Sequence, residues 1–299
     1  MKRVLCTTLT LLLASTVFVA CQKDGIFNPK QKISKVYQAY YGNPRLTEKW
    51  TWDDNLLNCI AYFRDDTTVQ QKSYYFYEKK QLVKIDNTYD LSYILITYDK
   101  SFYKQIESYD KFDRKLRSYA FTYDKKKITK MEVTIYKNPS KAVMSAEEGD
   151  IMSVFIPKAI LDETNKLMSV PSLLKSAEND LIVYTMQYDG DNISEWKIAN
   201  QVGGKTKEIV FQYNSYDENK NPYYTSYPNM NENEPASPAF FKNNPLKITC
   251  TEYFDNAKIS SYTYDYTYKY DAQKYPIEAI KNLTQDSYFI SDTLYYEYQ

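Results

Sequence analysis

The fold of this chain is decided by a stretch that reads YDKSFYKQI over residues 98–106. An aromatic residue and an acid lead the pattern, and apolar or aromatic residues follow five and eight positions after the leading aromatic. The spacing occurs in six copies, in each of which a leading pair is followed by positions five and eight: Trp52-Asp53 with Leu57 and Ile60, Tyr77-Glu78 with Leu82 and Ile85, Tyr98-Asp99 with Tyr103 and Ile106, Tyr123-Asp124 with Ile128 and Met131, Tyr188-Asp189 with Ile193 and Trp196, and Phe254-Asp255 with Ile259 and Tyr262.

Each copy predicts a β-hairpin. Asp and Asn hydrogen-bond their own turn and tolerate unusual backbone conformations, so polar tracts such as residues 189–192 can close a loop. A four-residue loop places position five opposite the leading aromatic as a cross-strand pair. Positions five and eight are three residues apart, so in a regular strand their side chains would point to opposite faces of the sheet. Either both faces of the sheet are therefore partly buried, or each repeat carries a bulge.

The whole repeat array predicts an all-β fold. Between motifs the chain alternates as strands do; over residues 262–270 every second residue is Tyr and the others are Thr, Asp or Lys. The turns predict about 14 to 16 strands of about eight residues each in a long antiparallel meander. So many strands rarely stay flat, so we expect a sheet that is strongly curved or closed into a barrel.

Two stretches interrupt the repeat. Residues 137–183 contain no Tyr, and apolar residues at helical spacing between Pro157 and Pro171 predict one short helical insertion. This insertion either packs on the sheet edge as a peripheral loop or caps an open sheet face. Residues 214–244 hold four prolines and many asparagines and predict a long surface loop between strands.

The N-terminus predicts a lipid anchor. Lys2 and Arg3 precede an uncharged run over residues 4–20, which is too short to be read first as a membrane-spanning helix. The run ends in Phe-Val-Ala before Cys21, which resembles the lipobox of bacterial lipoproteins. That resemblance implies cleavage before Cys21, lipid attachment to its thiol, and the membrane as a partner through this anchor. An ordinary secretory signal with a chance cysteine is the alternative.

These features together resemble the Bacteroidetes lipoproteins that carry a domain of unknown function described as having a porin-like fold. The resemblance rests on the lipobox and the Tyr-Asp hairpins and covers most of residues 32–299. It implies an all-β meander in the cell envelope, but no activity and no catalytic residue. The repeats are also distantly similar to the Tyr-Asp repeats of bacterial Rhs-type shell proteins, although they lack the Gly of those repeats.

The predicted organisation is therefore a cleaved signal peptide over residues 1–20, a lipidated tether over residues 21–31 and a single domain over residues 32–299. Gln-Lys-Asp directly after Cys21 looks like the signal that exports Bacteroidetes-type lipoproteins to the cell surface. We therefore expect an outer-membrane lipoprotein that faces the cell surface, with a periplasm-facing anchor as the alternative.

Composition argues against several functions. Lys+Arg and Asp+Glu are 38 each, and this neutral balance argues against nucleic-acid binding, which needs a basic surplus. The chain has no His, so a Ser–His–Asp or Cys–His arrangement cannot form. Paired carboxylates remain an option for catalysis, but most Asp residues occupy predicted turns. The expectation is a non-enzymatic envelope protein without metal or cofactor. A membrane-spanning porin would need a lipid-facing apolar band, which the Tyr-rich strands do not predict.

The excess of tyrosine has two interpretations. The chain has 33 Tyr, whose rings suit a sheet surface and whose hydroxyls tolerate a partly polar interior. Alternatively, exposed rings bind a glycan or a peptide, because rigid aromatic faces stack on sugars and peptide planes. The candidate ligand-binding residues are Tyr223, Tyr224 and Tyr227 of the long loop, with Trp196 as a wall.

Two cysteines remain in the predicted mature domain apart from Cys21. Cys59 and Cys250 could form a disulfide, since the periplasm permits it, or could be two separate buried thiols. The sequence leaves both alternatives open.

Overall fold

The structure is a computed structural model that describes residues 27–39, 42–136, 180–228, 235–285 and 288–299. Its strands are β1 (Ile33–Ala39), β2 (Arg45–Asp53), β3 (Leu56–Phe63), β4 (Val69–Glu78), β5 (Gln81–Asn87), β6 (Tyr93–Asp99), β7 (Phe102–Tyr109), β8 (Lys115–Asp124), β9 (Lys127–Ile135), β10 (Asp180–Asp189), β11 (Asn192–Val202), β12 (Lys205–Tyr216), β13 (Pro245–Phe254), β14 (Ala257–Tyr270), β15 (Pro276–Gln285) and β16 (Tyr288–Tyr298). These 16 strands form one antiparallel sheet that closes into a barrel, because β1 pairs with β16. The predicted all-β barrel is confirmed.

The repeat forms hairpins whose register explains its spacing. In five of the six copies the leading aromatic pairs with position five, as Tyr77 does with Leu82. The preceding residue Phe76 pairs with Lys84, so Val83 is the extra residue of a bulge. The bulge brings positions five and eight onto the same face, and both are buried in this copy. Of the two explanations that the sequence leaves open, the bulge is the one that forms.

The sixth copy differs, and the prediction that Ile259 faces Phe254 is wrong. Phe254 pairs with Ala257, and Asp255 and Asn256 form the turn with φ values of 51° and 65°. The turn therefore begins one residue earlier than in the other copies. This shift changes the face on which the following residues lie, and Ile259 is 57% exposed.

The two predicted insertions have different boundaries in the structure. The helical prediction falls on residues 137–179, which lie outside the described residues, and residues 180–183 belong to β10. The predicted loop at 214–244 begins later, because β12 continues to Tyr216. A short 3-10 turn, Pro238–Phe240, lies within this loop. No helix in the described part of the chain is long and apolar enough to cross a membrane.

Apolar and aromatic side chains fill the lumen of the barrel. One buried cluster extends from β5 to β14 and includes Trp196, Phe211 and Tyr184, all 1% exposed or less. The five tyrosines of residues 262–270 share the inner face of β14, and each contacts the next with ring centroids 5.6–6.4 Å apart. Open 16-stranded barrels of channel proteins leave an aqueous pore. In this barrel the inward side chains occupy that space.

The outer wall of the barrel carries ion pairs, both between and within strands, beside exposed apolar residues such as Phe76, Leu181 and Phe289. Lys197 of β11 pairs with Glu208 of β12 at 2.6 Å, and the residues on either side of Lys197 are buried in the lumen. Further pairs on the wall are Lys35–Glu297, Lys84–Asp86, Lys130–Glu132, Lys247–Asp265 and Lys269–Glu278. The alternation of strand residues therefore places the buried apolar core inside and the side chains of these ion pairs outside.

The two cysteines do not pair. Cys59 on β3 and Cys250 on β13 are both free and buried. Burial raises the pKa of the Cys250 thiol to about 12, so this side chain is a neutral, small apolar group of the lumen.

Candidate functional site

The two ends of the barrel differ in their connections. One end carries the turns that follow the even-numbered strands, the long loop of residues 217–244 and the entry of the chain at Phe27; we call it the loop end. The opposite end carries the turns that follow the odd-numbered strands, including the connection between β9 and β10. The sequence-predicted ligand residues of the long loop therefore lie at the loop end.

Side-chain amides fix the long loop in place. The Asn221 amide donates to the carbonyls of Pro238 and Phe241, each at 2.7 Å, and so ties the two halves of the loop together. Asn192, at the β10–β11 turn, bonds the backbone and the side chain of Asn243 at 3.0 and 3.1 Å. Asn residues suit this task because one amide both donates and accepts. These bonds give Asn221 and Asn243 a structural task in the loop.

Aromatic side chains of the loop reach opposite walls of the lumen. The ring of Tyr223 lies 6.0 Å from that of Trp50 on β2 and 6.2 Å from that of Tyr296 on β16. Phe240 contacts Trp196 on β11 at 5.8 Å, on the far side of the barrel. The loop therefore closes this end of the barrel by packing its rings into the lumen, and it does not lie on the rim alone.

The four sequence-predicted ligand residues contribute to this packing. Trp196 is 1% exposed, and its indole nitrogen has no hydrogen-bond partner among the described residues. Burial raises the pKa of both Tyr223 and Tyr227 well above its usual range. Tyr224 lies close enough to Tyr188 to interact with its hydroxyl electrostatically. The structure thus places Tyr223 and Trp196 against different walls, and ligand binding by these residues stays a prediction.

A ladder of side-chain hydrogen bonds links neighbouring hairpins at the loop end, and the sequence reasoning missed it. The leading aromatics Tyr98 and Tyr123 each donate to the carbonyl oxygen of position five of the preceding hairpin, and Tyr216, which leads none of the six copies, does the same. The hydroxyl of the leading Tyr188 instead contacts Met186 Sδ. The bonds with measured lengths are Tyr98 to Leu82 at 2.9 Å, Tyr123 to Tyr103 at 3.0 Å, and Tyr216 to Ile193 at 2.8 Å. Tyr77 forms a hydrogen bond with the backbone of Leu57, and the indole of Trp52 donates to the carbonyl of Ile33, the first residue of β1, at 2.8 Å. The tyrosine hydroxyl therefore has a structural task in the repeat.

A small cavity lies among these rings. It is lined by tyrosines of β4, β6 and β7 together with Tyr227 and Phe27. Its volume of about 20 Å³ accommodates one water molecule but not a sugar ring.

Glu48 is a buried carboxyl group that the sequence analysis did not single out. It is 8% exposed, and it accepts a 2.7 Å hydrogen bond from the indole nitrogen of Trp50. Burial raises its pKa to about 7. Four tyrosines are close enough for their pKa values to respond to its charge: Tyr62, Tyr75, Tyr223 and Tyr296. The sequence did hold a signal, because Glu48 has the same strand parity as Trp50, which faces the lumen.

The residues that the structure describes do not form a metal centre. No group of three or more His, Cys, Asp or Glu in the described ranges could hold a metal ion. The residues of the Asp189-Gly190-Asp191-Asn192 tract form the β10–β11 turn, in which Gly190 has a φ of 56°. Glycine permits this left-handed conformation, which two-residue hairpin turns require.

Comparisons with known proteins find the same fold. No family model matches the chain, and no curated protein matches it. A porin-like protein from Bacteroides vulgatus matches with a TM-score of 0.52 at 10% identity, over 90% of this chain and 99% of that chain. A porin-like protein from Bacteroides uniformis matches with a TM-score of 0.53 at 11% identity, over 92% and 100% of the two chains. At such identities the likeness concerns the fold, and the chain has the porin-like fold of these Bacteroides proteins.

Proposed function

We propose that this protein is a lipid-anchored, non-enzymatic component of the cell envelope whose barrel lies outside the bilayer. The main support for this proposal is the distribution of side chains, because packed aromatic rings fill the lumen and ion pairs lie on the outer wall. The porin-like fold of the two Bacteroides structures is compatible with an envelope location. Cys21 is the proposed lipid site, and the cell surface is the proposed side of the outer membrane.

The outer wall supports a position outside the bilayer. A Lys or Arg at the midplane of a bilayer costs a membrane-spanning barrel about 2–4 kcal/mol. The wall carries Lys197, Lys130 and Lys269 on three separate strands, each paired with a carboxylate. A membrane-spanning barrel would instead present an apolar band between aromatic girdles.

The lumen supports a function other than conduction. A pore needs a continuous path for water and ions, but Trp196, Tyr184 and Phe211 are buried in the lumen, and Phe240 of the long loop packs against Trp196. Tyr223 and Phe240 reach opposite walls at the loop end. The proposed protein therefore uses a porin-like fold without a porin-like pore.

Detergent phase partitioning tests the anchor and the sidedness together. The wild-type protein, lipidated at Cys21, should enter the detergent phase of Triton X-114. The chain expressed from Gln22 onward should remain in the aqueous phase as a folded barrel with unchanged near-ultraviolet circular dichroism, and a Cys21→Ser protein should lack the lipid mass and be released from the membrane as an uncleaved or soluble form.

Two results would contradict the proposal. If Cys21→Ser left the mass and the detergent partitioning of the protein unchanged, Cys21 would not be the lipid site. If the chain from Gln22 onward stayed folded in the detergent phase, or produced single-channel conductance in a planar bilayer, the barrel would span the membrane. Protease shaving of intact cells separates the proposed surface location from a periplasm-facing anchor.

A further inference from the structure

Three neighbouring hairpin tips at the loop end place lysines where other residues are favoured. Lys79 and Lys80 (β4–β5), Lys100 (β6–β7) and Lys125 (β8–β9) have φ values of 49°, 71°, 59° and 58°. This left-handed region favours Gly, Asn and Asp, and a longer side chain there is strained. The other two-residue turns whose residues the structure describes use the favoured residues: Asp54-Asn55, Gly190-Asp191, Gly203-Gly204 and Asp255-Asn256.

These lysines carry uncompensated charge. All four are exposed, and none of them forms an ion pair within the described part of the chain, whereas lysines of the barrel wall pair with carboxylates. The three tips together, residues 78–81, 99–102 and 124–127, contain six lysines and three carboxylates, a net charge of +3, and Lys127 also pairs with Asp191 of the β10–β11 turn at 3.8 Å. The whole chain has a net charge of zero, so this arc is more basic than the chain as a whole; we call these three turns the lysine tips.

The lysine tips form one continuous surface. The strands β4 to β9 are consecutive in the barrel, so neighbouring tips stand two strand spacings, about 10 Å, apart. The Gln81 side chain donates to the carbonyl of Lys100 at 2.6 Å, which fixes the first tip against the second. The arc therefore presents its ammonium groups over about 20 Å, wide enough for several phosphate headgroups.

The N-terminal segment brings the same end of the barrel to the membrane. Phe27 packs against Trp50 and Trp52 at the loop end, with centroids 6.4 and 5.6 Å apart. Cys21 lies six positions before Phe27, a distance that a fully extended chain spans in about 20 Å. A lipid on Cys21 therefore holds the loop end, with its lysine tips, beside the bilayer surface.

We propose that the lysine tips bind anionic lipid headgroups and hold the barrel with its loop end against the membrane. This inference rests on the lipid anchor of the proposed function. Anionic bilayers attract lysines near their surface, and a basic patch adds to the membrane affinity that acyl chains provide. Binding of headgroups would explain why lysines occupy strained turn positions at three adjacent tips.

Vesicle flotation of the unlipidated chain from Gln22 onward tests the tips separately from the anchor. The protein should float at low salt with vesicles of phosphatidylcholine containing about one third phosphatidylglycerol, and should not float with phosphatidylcholine alone or at high salt. The Lys79→Gln/Lys100→Gln/Lys125→Gln variant should bind anionic vesicles at least about tenfold more weakly. A control variant, Lys111→Gln/Lys205→Gln/Lys258→Gln, removes the same charge at the opposite end and should bind as the wild type does.

A second variant excludes misfolding as the cause of lost binding. Lys79→Asn/Lys80→Gly replaces one tip by the turn sequence that the backbone favours, so this protein should unfold at an equal or higher temperature and still float less. Equal losses in the two triple variants, or binding that is indifferent to phosphatidylglycerol, would overturn the proposal. Because the flotation protein has no lipid, failure of the anchor would be visible only in the detergent partitioning of the Cys21→Ser protein.

Discussion

The hydroxyl of Tyr98 donates a 2.9 Å hydrogen bond to the carbonyl oxygen of Leu82, position five of the preceding hairpin. The backbone pairing of β5 with β6 covers only Lys84 to Asp86, so it does not reach Leu82. The hydroxyl supplies the contact that the strand ladder lacks beyond the bulge. Tyr123 makes the same bond to Tyr103, so these two leading tyrosines both pack their rings against the buried core and tie their hairpins to the preceding ones.

Removing this one hydroxyl should destabilise the barrel. We expect Tyr98→Phe to lower the free energy of unfolding by about 1 kcal/mol, because the ring stays in place and one buried acceptor loses its donor. Tyr89→Phe is the matched control, since Tyr89 is 68% exposed and the stability of this variant should be unchanged. Urea unfolding followed by tryptophan fluorescence measures both. A Tyr98→Phe protein as stable as the Tyr89→Phe control would show that the ladder contributes nothing.

Position five of the repeat permits a second matched test. Ile128 is 8% exposed and pairs with Tyr123, whereas Ile259 occupies the same motif position but is 57% exposed. Ile128→Ala should cost about 2–4 kcal/mol through lost burial and a cavity, and Ile259→Ala should cost less than about 1 kcal/mol. Thermal or urea unfolding of the two variants measures the difference. Equal losses would contradict the register that the structure gives the sixth copy.

The pair of isoleucines also shows how far the sequence determines the fold. Leu57, Leu82, Ile128 and Ile193 lie where the spacing predicts, because local turn chemistry fixes a hairpin register without knowledge of the rest of the barrel. Ile259 does not lie at its predicted position, because Asp255 and Asn256 form the turn one residue earlier than in the other copies. The spacing of apolar residues alone does not distinguish these two turns.

The contacts that close the loop end depend on long-range structure and could not be predicted. Tyr223 meets Trp50 and Tyr296 only because β1 pairs with β16, which brings residues far apart in sequence to one wall. The sequence could nominate Tyr223 as a special residue from its place in the long loop. It could not show whether the ring faces solvent or the lumen, since no strand alternation governs loop side chains.

The buried carboxyl of Glu48 predicts a pH dependence of stability. Burial raises its pKa from 4.5 to about 7, so between these values the folded barrel keeps a proton that the unfolded chain releases. The free energy of unfolding should therefore decrease as the pH rises from about 4.5 to 7, by about 3 kcal/mol in total. Urea unfolding at a series of pH values measures the slope.

Glu48→Gln is the control for this slope, because Gln keeps an acceptor for the Trp50 indole and does not ionise. The variant should lose the decrease between pH 4.5 and 7 and should be more stable than the wild type near neutral pH. Burial also raises the pKa of Asp292, which adds a decrease of the same sign, so the test is the difference between the two proteins. Parallel pH profiles would contradict the assignment to Glu48.

The loop tyrosines have a structural task in the barrel, so a test of ligand binding must separate it from recognition. Binding to a glycan and peptide panel should be compared between the wild type and a Tyr223/Tyr224/Tyr227→Ala variant. Truncating Tyr223 removes its ring contacts with Trp50 and Tyr296, so this variant should also unfold more readily. A site built from these rings predicts that Tyr224→Ala and Tyr224→Phe differ, with the ring-deleting change abolishing binding and the hydroxyl-deleting change retaining most of it. A ligand whose affinity is the same for the wild type and a folded triple variant would place the binding site elsewhere on the barrel.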